Sequence, residues 1–91
     1  MKKVIFVSPM YNAASHLPDL IESMKEQTNV NWKHILIDDM STDNSFNVAC
    51  ELTRNDDHFQ VRKNKEKRWA LKNVINIARE YQNDPNVIIA N

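Results

Sequence analysis

Ile35-Leu36-Ile37-Asp38-Asp39-Met40-Ser41-Thr42-Asp43-Asn44-Ser45 is the stretch on which the reading of this chain turns. Three apolar residues run into two adjacent carboxylates, and a cluster of small polar residues follows that can cap a helix. A strand with no polar alternation at its apolar end is expected to be buried on both faces, as in a parallel α/β sheet. Ligands of such sheets sit just beyond the carboxyl ends of the strands.

Working outward, Trp32 to Ile37 reads as a second strand and Ser41 to Asn44 as the start of a second helix. Phe46, Ala49, Cys50 and Thr53 fall on one face of that helix, with Val48 and Leu52 on its flank. Upstream, Lys3 to Val7 is a first strand and Ser8-Pro9-Met10-Tyr11-Asn12 its exit loop. Leu17, Leu20, Ile21 and Met24 recur at helical spacing, with Ser15 as N-cap and Pro18 in the first turn. Asn29-Val30-Asn31 breaks that pattern. Downstream, the turn Asn55-Asp56-Asp57 leads to a weak third strand, His58 to Arg62. A basic loop and a third helix follow, its stripe made by Leu71, Val74, Ile75 and Ala78. After the turn Asn83 to Asn86, Val87-Ile88-Ile89-Ala90 begins a fourth strand.

The order β-α-β-α-β-α-β implies right-handed crossovers and a parallel sheet between two helical layers. We expect one Rossmann-like α/β unit spanning 1–91, a three-layer sandwich. In such a parallel sheet the loops after strands one, two and three and the end of strand four converge on one edge, where the acidic pair lies.

Composition narrows the chemistry. With 91 residues, 42% hydrophobic and 26% charged, the chain has the make-up of one small globular unit. A formal net charge of zero gives no bulk attraction to nucleic acid or to a membrane surface. The apolar run after Met1-Lys2-Lys3 stops at Ser8-Pro9, too short for the ~7–15 residues of a signal core. The lone Cys50 forms no internal disulfide, which fits a reducing, cytoplasmic setting. Glycine is absent, which excludes the glycine-built phosphate cradles of dinucleotide folds and P-loops.

Asp38 and Asp39 are adjacent and must point to opposite faces, so they do not form a shared-proton dyad. One can face the crevice and accept the imide N–H of uracil or guanine while the other holds the loop. Both acids could equally well cap the following helix. A calcium loop through Asp39, Ser41 and Asp43 lacks the required glycine and closing glutamate. Tyr11 can stack on a nucleobase or simply cover the end of the core. The run Arg62-Lys63-Asn64-Lys65-Glu66-Lys67-Arg68-Trp69, with Lys72 a turn later, offers cations to a pyrophosphate at a helix start. With Trp69 it could instead be a nucleic-acid patch, against which zero net charge argues; Lys63 and Lys65 by default form a solvated face. His16, His34 and His58 have no metal-ligand spacing.

Taken together, these residues resemble the N-terminal half of the inverting family 2 glycosyltransferases of the GT-A fold. The resemblance spans essentially the whole chain. Its carriers are Val7-Ser8-Pro9-Met10-Tyr11-Asn12-Ala13, Ser23 with Gln27-Thr28, Ile37 to Ser45, and Arg68 to Asn73 leading a helix. The resemblance implies a half-domain with sheet order 3-2-1-4 that binds the nucleotide of a UDP- or GDP-linked sugar donor. By position, Pro9 and Tyr11 line the base site, with Asn12 in the same loop, and Asp39 hydrogen-bonds the base while Asp38 supports it. Arg68 lies near the diphosphate, with Lys72 a weaker candidate.

Two departures stand out. Met40 occupies a position that is usually glycine, and Lys65-Glu66-Lys67 replaces a turn that commonly holds Asn and Gly. The family's Asp-x-Asp motif, which binds Mn²⁺ or Mg²⁺, follows the fourth strand, about where Asn91 ends the sequence. Its ligands are therefore not expected within these residues, and no catalytic residue is assigned. The chain alone is expected to be inactive and truncated before that motif. Apolar surface left for a missing half is expected to promote self-association. Two other readings remain: a non-catalytic nucleotide-binding or assembly module, and a small nucleic-acid-binding domain.

Overall fold

The computed structural model describes residues 3–26 and 31–90, the side chains of Ala70 and Leu71 excepted. Gln27, Thr28 and the break at Asn29-Val30 therefore lie outside the described residues. Seven elements alternate as expected: β1 (Lys3–Met10), α1 (Leu17–Lys25), β2 (Trp32–Asp38), α2 (Ser45–Leu52), β3 (Phe59–Lys63), α3 (Trp69–Glu80) and β4 (Val87–Ala90). The four strands form one parallel sheet in the order β3-β2-β1-β4.

Side chains of the central strands alternate between two cores. Ile5, Val7, Ile35 and Ile37 face α3, where Ile77 covers them. Met10 and Leu36 face the other way and pack with Leu17 and Ile21 of α1 and Ala49 of α2. Every residue of β2 except Lys33 is buried, which is the two-sided burial its apolar run implies. His34 lies in this interior, its Nε2 2.7 Å from Ser8 Oγ and its ring beside Phe6 and Phe59. Burial disfavours the imidazolium and lowers its pKa to about 4.

Several local expectations need correction. β1 does not end at Val7 but runs on to Met10, pairing Ser8, Pro9 and Met10 with Leu36, Ile37 and Asp38. Proline is tolerated there because successive backbone nitrogens alternate sides. Val4 N–H points to β2 and Lys3 N–H towards β4, so the Pro9 nitrogen faces the β4 side, beyond Phe6 where the described β1–β4 pairing stops. The α1 N-cap is His16, not Ser15, without a side-chain cap; the Ala13 carbonyl accepts from His16 and Leu17 N–H instead. Leu20 is exposed, because Leu17 and Ile21 alone reach the sheet.

The second helix starts one turn later than expected, with Asn44 as N-cap, because Ser41–Asn44 bonds across to the loop after β1. That start places Ser45, Ala49 and Thr53 inward and leaves Cys50 exposed. The third strand is shifted by one residue, to Phe59–Lys63. Among the described side chains of α3, Asn73 and Ile77 are buried with Val74 beside them, while Ile75 is exposed. The Leu71 side chain of the expected stripe lies outside the described residues. A buried asparagine rotated the true inner face away from the purely apolar stripe.

Candidate nucleotide-binding site

Loops after β1, β2 and β3 build the carboxyl edge of the sheet. The loop after β1 is tied to the loop after β2 by its backbone and by Asn12. Asn12 Oδ1 accepts from Thr42 N–H (2.8 Å), Thr42 Oγ1 (3.1 Å) and Asp43 N–H (3.2 Å). Asn12 N–H donates to Ser41 Oγ at 3.0 Å, Ala13 N–H to Ser45 Oγ at 2.8 Å, and Ala14 N–H to Asp43 Oδ2 at 3.2 Å. Asp43 Oδ1 in turn accepts from the Ser45 backbone at 2.9 Å and from its hydroxyl. The Ser45 hydroxyl bond comes first among the causes that hold the Asp43 carboxyl below its ordinary value. Asn12 and Met40 both sit at left-handed φ, 50° and 68°. Met40 thus adopts the backbone that glycine takes at no steric cost.

Asp38 and Asp39 diverge, as adjacency requires. Asp38 lies on the Leu36 face and is buried, its Oδ1 without a hydrogen-bond partner among the described residues. Asp39 turns to the start of α3. Its Oδ1 accepts from Asn64 Nδ2 (2.9 Å) and Arg68 N–H (2.7 Å), and its Oδ2 from Trp69 N–H (2.7 Å). Lys67 Nζ stands 3.6 Å from the same Oδ2. Burial acts to raise the Asp39 pKa; these hydrogen bonds and the Lys67 charge outweigh it and hold the carboxyl below its usual range. Asn64 Nδ2 also donates to Asn73 Oδ1 at 2.7 Å, which explains the polar residue buried under α3.

Pro9, Met10, Tyr11, Asp39, Lys67 and Trp69 enclose a cleft of about 230 Å³. The structure therefore brings Pro9, Tyr11 and Asp39 together. It does not bring the other candidates to them. Asn12 is spent on the loop, and Asp38 faces the opposite layer. Arg68 lines a separate cavity of about 240 Å³ on the α3 face with Ile37, Arg62, Asn64, Asn73 and Asn76. Its guanidinium is 3.8 Å from Glu66. Lys72 is exposed one turn into α3 and lines neither cavity. The anion position at the start of α3, expected to suit a pyrophosphate, is taken by Asp39 itself. Lys67 and Trp69 are cleft residues that the sequence reading placed only in a generic basic run.

Among the described residues, no three His, Cys, Asp or Glu side chains stand close enough to share a metal ion. Three acceptor directions of Asp39 are taken by N–H donors, and the Lys67 ammonium stands beside the fourth. Nor is any helix among those residues long and apolar enough to cross a membrane.

The fold is that of the GT-A glycosyltransferases. It superposes on a mannosyltransferase, PcManGT from Pyrobaculum calidifontis, solved in complex with GDP-Man and Mn²⁺, with a TM-score of 0.73. That match has 19% identity and covers 87% of this chain and 24% of the other. S. aureus TarS (1–349) gives a TM-score of 0.67 at 20% identity, over 99% of this chain and 27% of that one. The chain belongs to glycosyl transferase family 2, whose sequence model matches residues 5–90. It is 29% identical over 58 residues to TuaG of Bacillus subtilis (strain 168), named for a glycosyltransferase of teichuronic acid biosynthesis. That alignment covers 64% of this chain and 23% of TuaG. The chain thus spans about a quarter of the length of each of these relatives.

Proposed function

We propose that this chain is the nucleotide-diphospho-sugar-binding half-domain of a glycosyltransferase that transfers a sugar to an acceptor hydroxyl. The observation that carries this reading is the cleft at the carboxyl edge of the sheet. There an exposed aromatic face, Tyr11, and a buried carboxylate, Asp39, share one wall-to-wall space. A planar base needs those two groups: a π surface to stack on and an acceptor for its imide N–H. Pro9 closes the floor beside Tyr11 without a competing backbone donor.

Arg68 and Lys72 are the diphosphate candidates, acting through their side chains, since the backbone N–H groups of Arg68 and Trp69 are committed to Asp39. The mannosyltransferase is in complex with both GDP-Man and Mn²⁺. A divalent ion, Mn²⁺ or Mg²⁺, belongs to the whole enzyme in this reading, with ligands other than the cleft residues described above. The half-domain by itself grips the donor and does not transfer sugar. Exposed Leu20, Ile75 and Ile88 supply apolar surface through which it can self-associate.

Titration by calorimetry with UDP, GDP and their sugars, with and without Mn²⁺, tests the reading. We expect saturable binding of at least one nucleotide, reduced by Tyr11→Ala. Absence of binding to every nucleotide, or binding of an oligonucleotide with a steep salt dependence in their place, overturns it. Sugar transfer by the purified chain overturns the half-domain assignment alone.

A further inference from the structure

We propose that Trp69 is the second aromatic wall of the base cleft, and that the Lys67 ammonium holds the base's place there until a nucleotide displaces it. This rests on the nucleotide reading above and assigns two residues to it.

Trp69 is kept in a costly position. Its side chain is 69% exposed, the most of any large hydrophobic residue among those described. Its backbone sits at φ 65°, a left-handed conformation unfavourable for a bulky residue. Strain of this kind persists where the surroundings impose it, and it gathers at ligand clamps. Here the imposing contact is Asp39 Oδ2, which takes the Trp69 N–H at 2.7 Å and fixes the turn that presents the ring to the cleft. Neither core contains the indole.

Lys67 occupies what a base would need. Its Nζ lies 3.2 Å from the centroid of the Tyr11 ring and 4.7 Å from that of Trp69. It is also 3.6 Å from Asp39 Oδ2. A carboxylate offers about two acceptor directions per oxygen. Asn64 and Arg68 take both on Oδ1, and Trp69 takes one on Oδ2. Lys67 faces the one that remains. The ammonium therefore sits on the stacking face and beside the last free acceptor together. No base can stack on Tyr11 and bond Asp39 while it stays. Its exit is open, since the side chain is 28% exposed and long enough to carry its charge to water.

The experiment compares wild type, Trp69→Gly, Trp69→Phe and Lys67→Met by calorimetry with UDP and GDP at fixed salt, each variant checked by circular dichroism. Glycine is at ease at the left-handed backbone, so Trp69→Gly removes the ring without disturbing the turn. We expect it to weaken binding about tenfold. Trp69→Phe should retain most of the affinity, and Lys67→Met should tighten binding several-fold by emptying the cleft. Wild-type binding that neither Trp69→Gly nor Lys67→Met alters overturns the clamp and leaves the nucleotide reading standing. Weaker binding by Lys67→Met overturns the placeholder, because Lys67 would then be a ligand to the nucleotide. Binding of neither nucleotide by wild type or Lys67→Met overturns both readings.

Discussion

Two parts of the carboxyl edge are held in different ways. The Asn12 and Ser41–Ser45 loops are laced together by a network shared among the Asn12, Ser41, Asp43 and Ser45 side chains. The segment from Asn64 to Trp69 is held at its start by Asn64, which bonds the Asp38 carbonyl, Asn73 and Asp39, and at its end by Asp39, which takes the Arg68 and Trp69 N–H groups. Distributed bonding makes the first a scaffold that presents Tyr11 and Asp39 in fixed positions. Bonding gathered on Asp39 lets the end of the second respond when the group beside that carboxylate changes. Lys67 and Trp69, the residues with something to move, are on the second.

The severest challenge to this contrast is Asp39→Ala. It strips the acceptor from two backbone N–H groups and from Asn64 in one substitution, leaving part-buried donors unpaired. Two or three such losses amount to about 4 kcal/mol. Urea denaturation measures the loss, and amide exchange should show Arg68 and Trp69 among the first amides released. A cost below about 1 kcal/mol means that the Asn64 bonds to the Asp38 carbonyl and Asn73 hold the segment alone.

Acid should separate the loops by pH. His34 is neutral in the fold with its pKa lowered to about 4, against an unfolded value near 6.5. The unfolded chain therefore binds the extra proton first. The stability His34 contributes is complete above about pH 6.5 and is lost as pH falls towards 4, up to about 3 kcal/mol in all. This loss acts through β1, β2 and β3 and should weaken both loops equally. Asp39 behaves with the same sign but lower on the scale: its depressed carboxyl contributes above its ordinary value and is lost only as pH falls through the folded one. Asp43 in the scaffold loop is depressed in the same direction. Amide exchange across the acid limb should thus show a shared decline first, then a wider opening of 64–69 than of Ser41–Ser45, where the Asn12 Oδ1 bonds do not titrate. His34→Gln should remove the first phase. If the Ser41–Ser45 amides open as widely as those of 64–69, the contrast is wrong.

How far the sequence carried this picture follows from where the forces are local. The parallel β-α alternation was legible because alternating apolar runs and stripes leave few right-handed arrangements, and the family resemblance picked the order among them. The meeting of the loops after β1 and β2 was legible for the same reason, while the choice of Pro9, Tyr11 and Asp39 among their residues came from the family resemblance. Helix faces and starts were less so. Asn73 looks like a surface residue until Asn64 and Asp39 are placed over it, and Ser41 looks like a cap until Asn12 claims the neighbouring amides. Lys67 and Trp69 were hidden for a different reason. A basic run has no periodicity, and only the left-handed turn at Trp69, fixed by a residue 30 positions away, decides where their side chains go.

Met40→Gly probes the scaffold loop from the stabilising side. At φ 68° methionine carries a steric cost that glycine does not, and removing it should outweigh the added freedom of the unfolded chain. We expect a gain of about 1 kcal/mol by denaturant titration, with nucleotide affinity unchanged because the Met40 side chain does not line the cleft. A change in affinity would show that the scaffold loop also moves during binding.

Ser41→Ala should have the smallest effect, and its smallness is the point. The hydroxyl accepts one bond, from Asn12 N–H at 3.0 Å, in an exposed setting where water can take over the freed donor. The net loss is then about 0.5 kcal/mol, or a fall in melting temperature of roughly 2–4 °C for a domain of this size. The remaining links through Asn12 Oδ1, Ser45 and Asp43 continue to hold the loop, so affinity for nucleotide should stay at the wild-type value. A loss approaching that of Asp39→Ala would mean that the lacing is cooperative and fails at any one stitch. The two loops would then differ in the number of their bonds but not in how they give way.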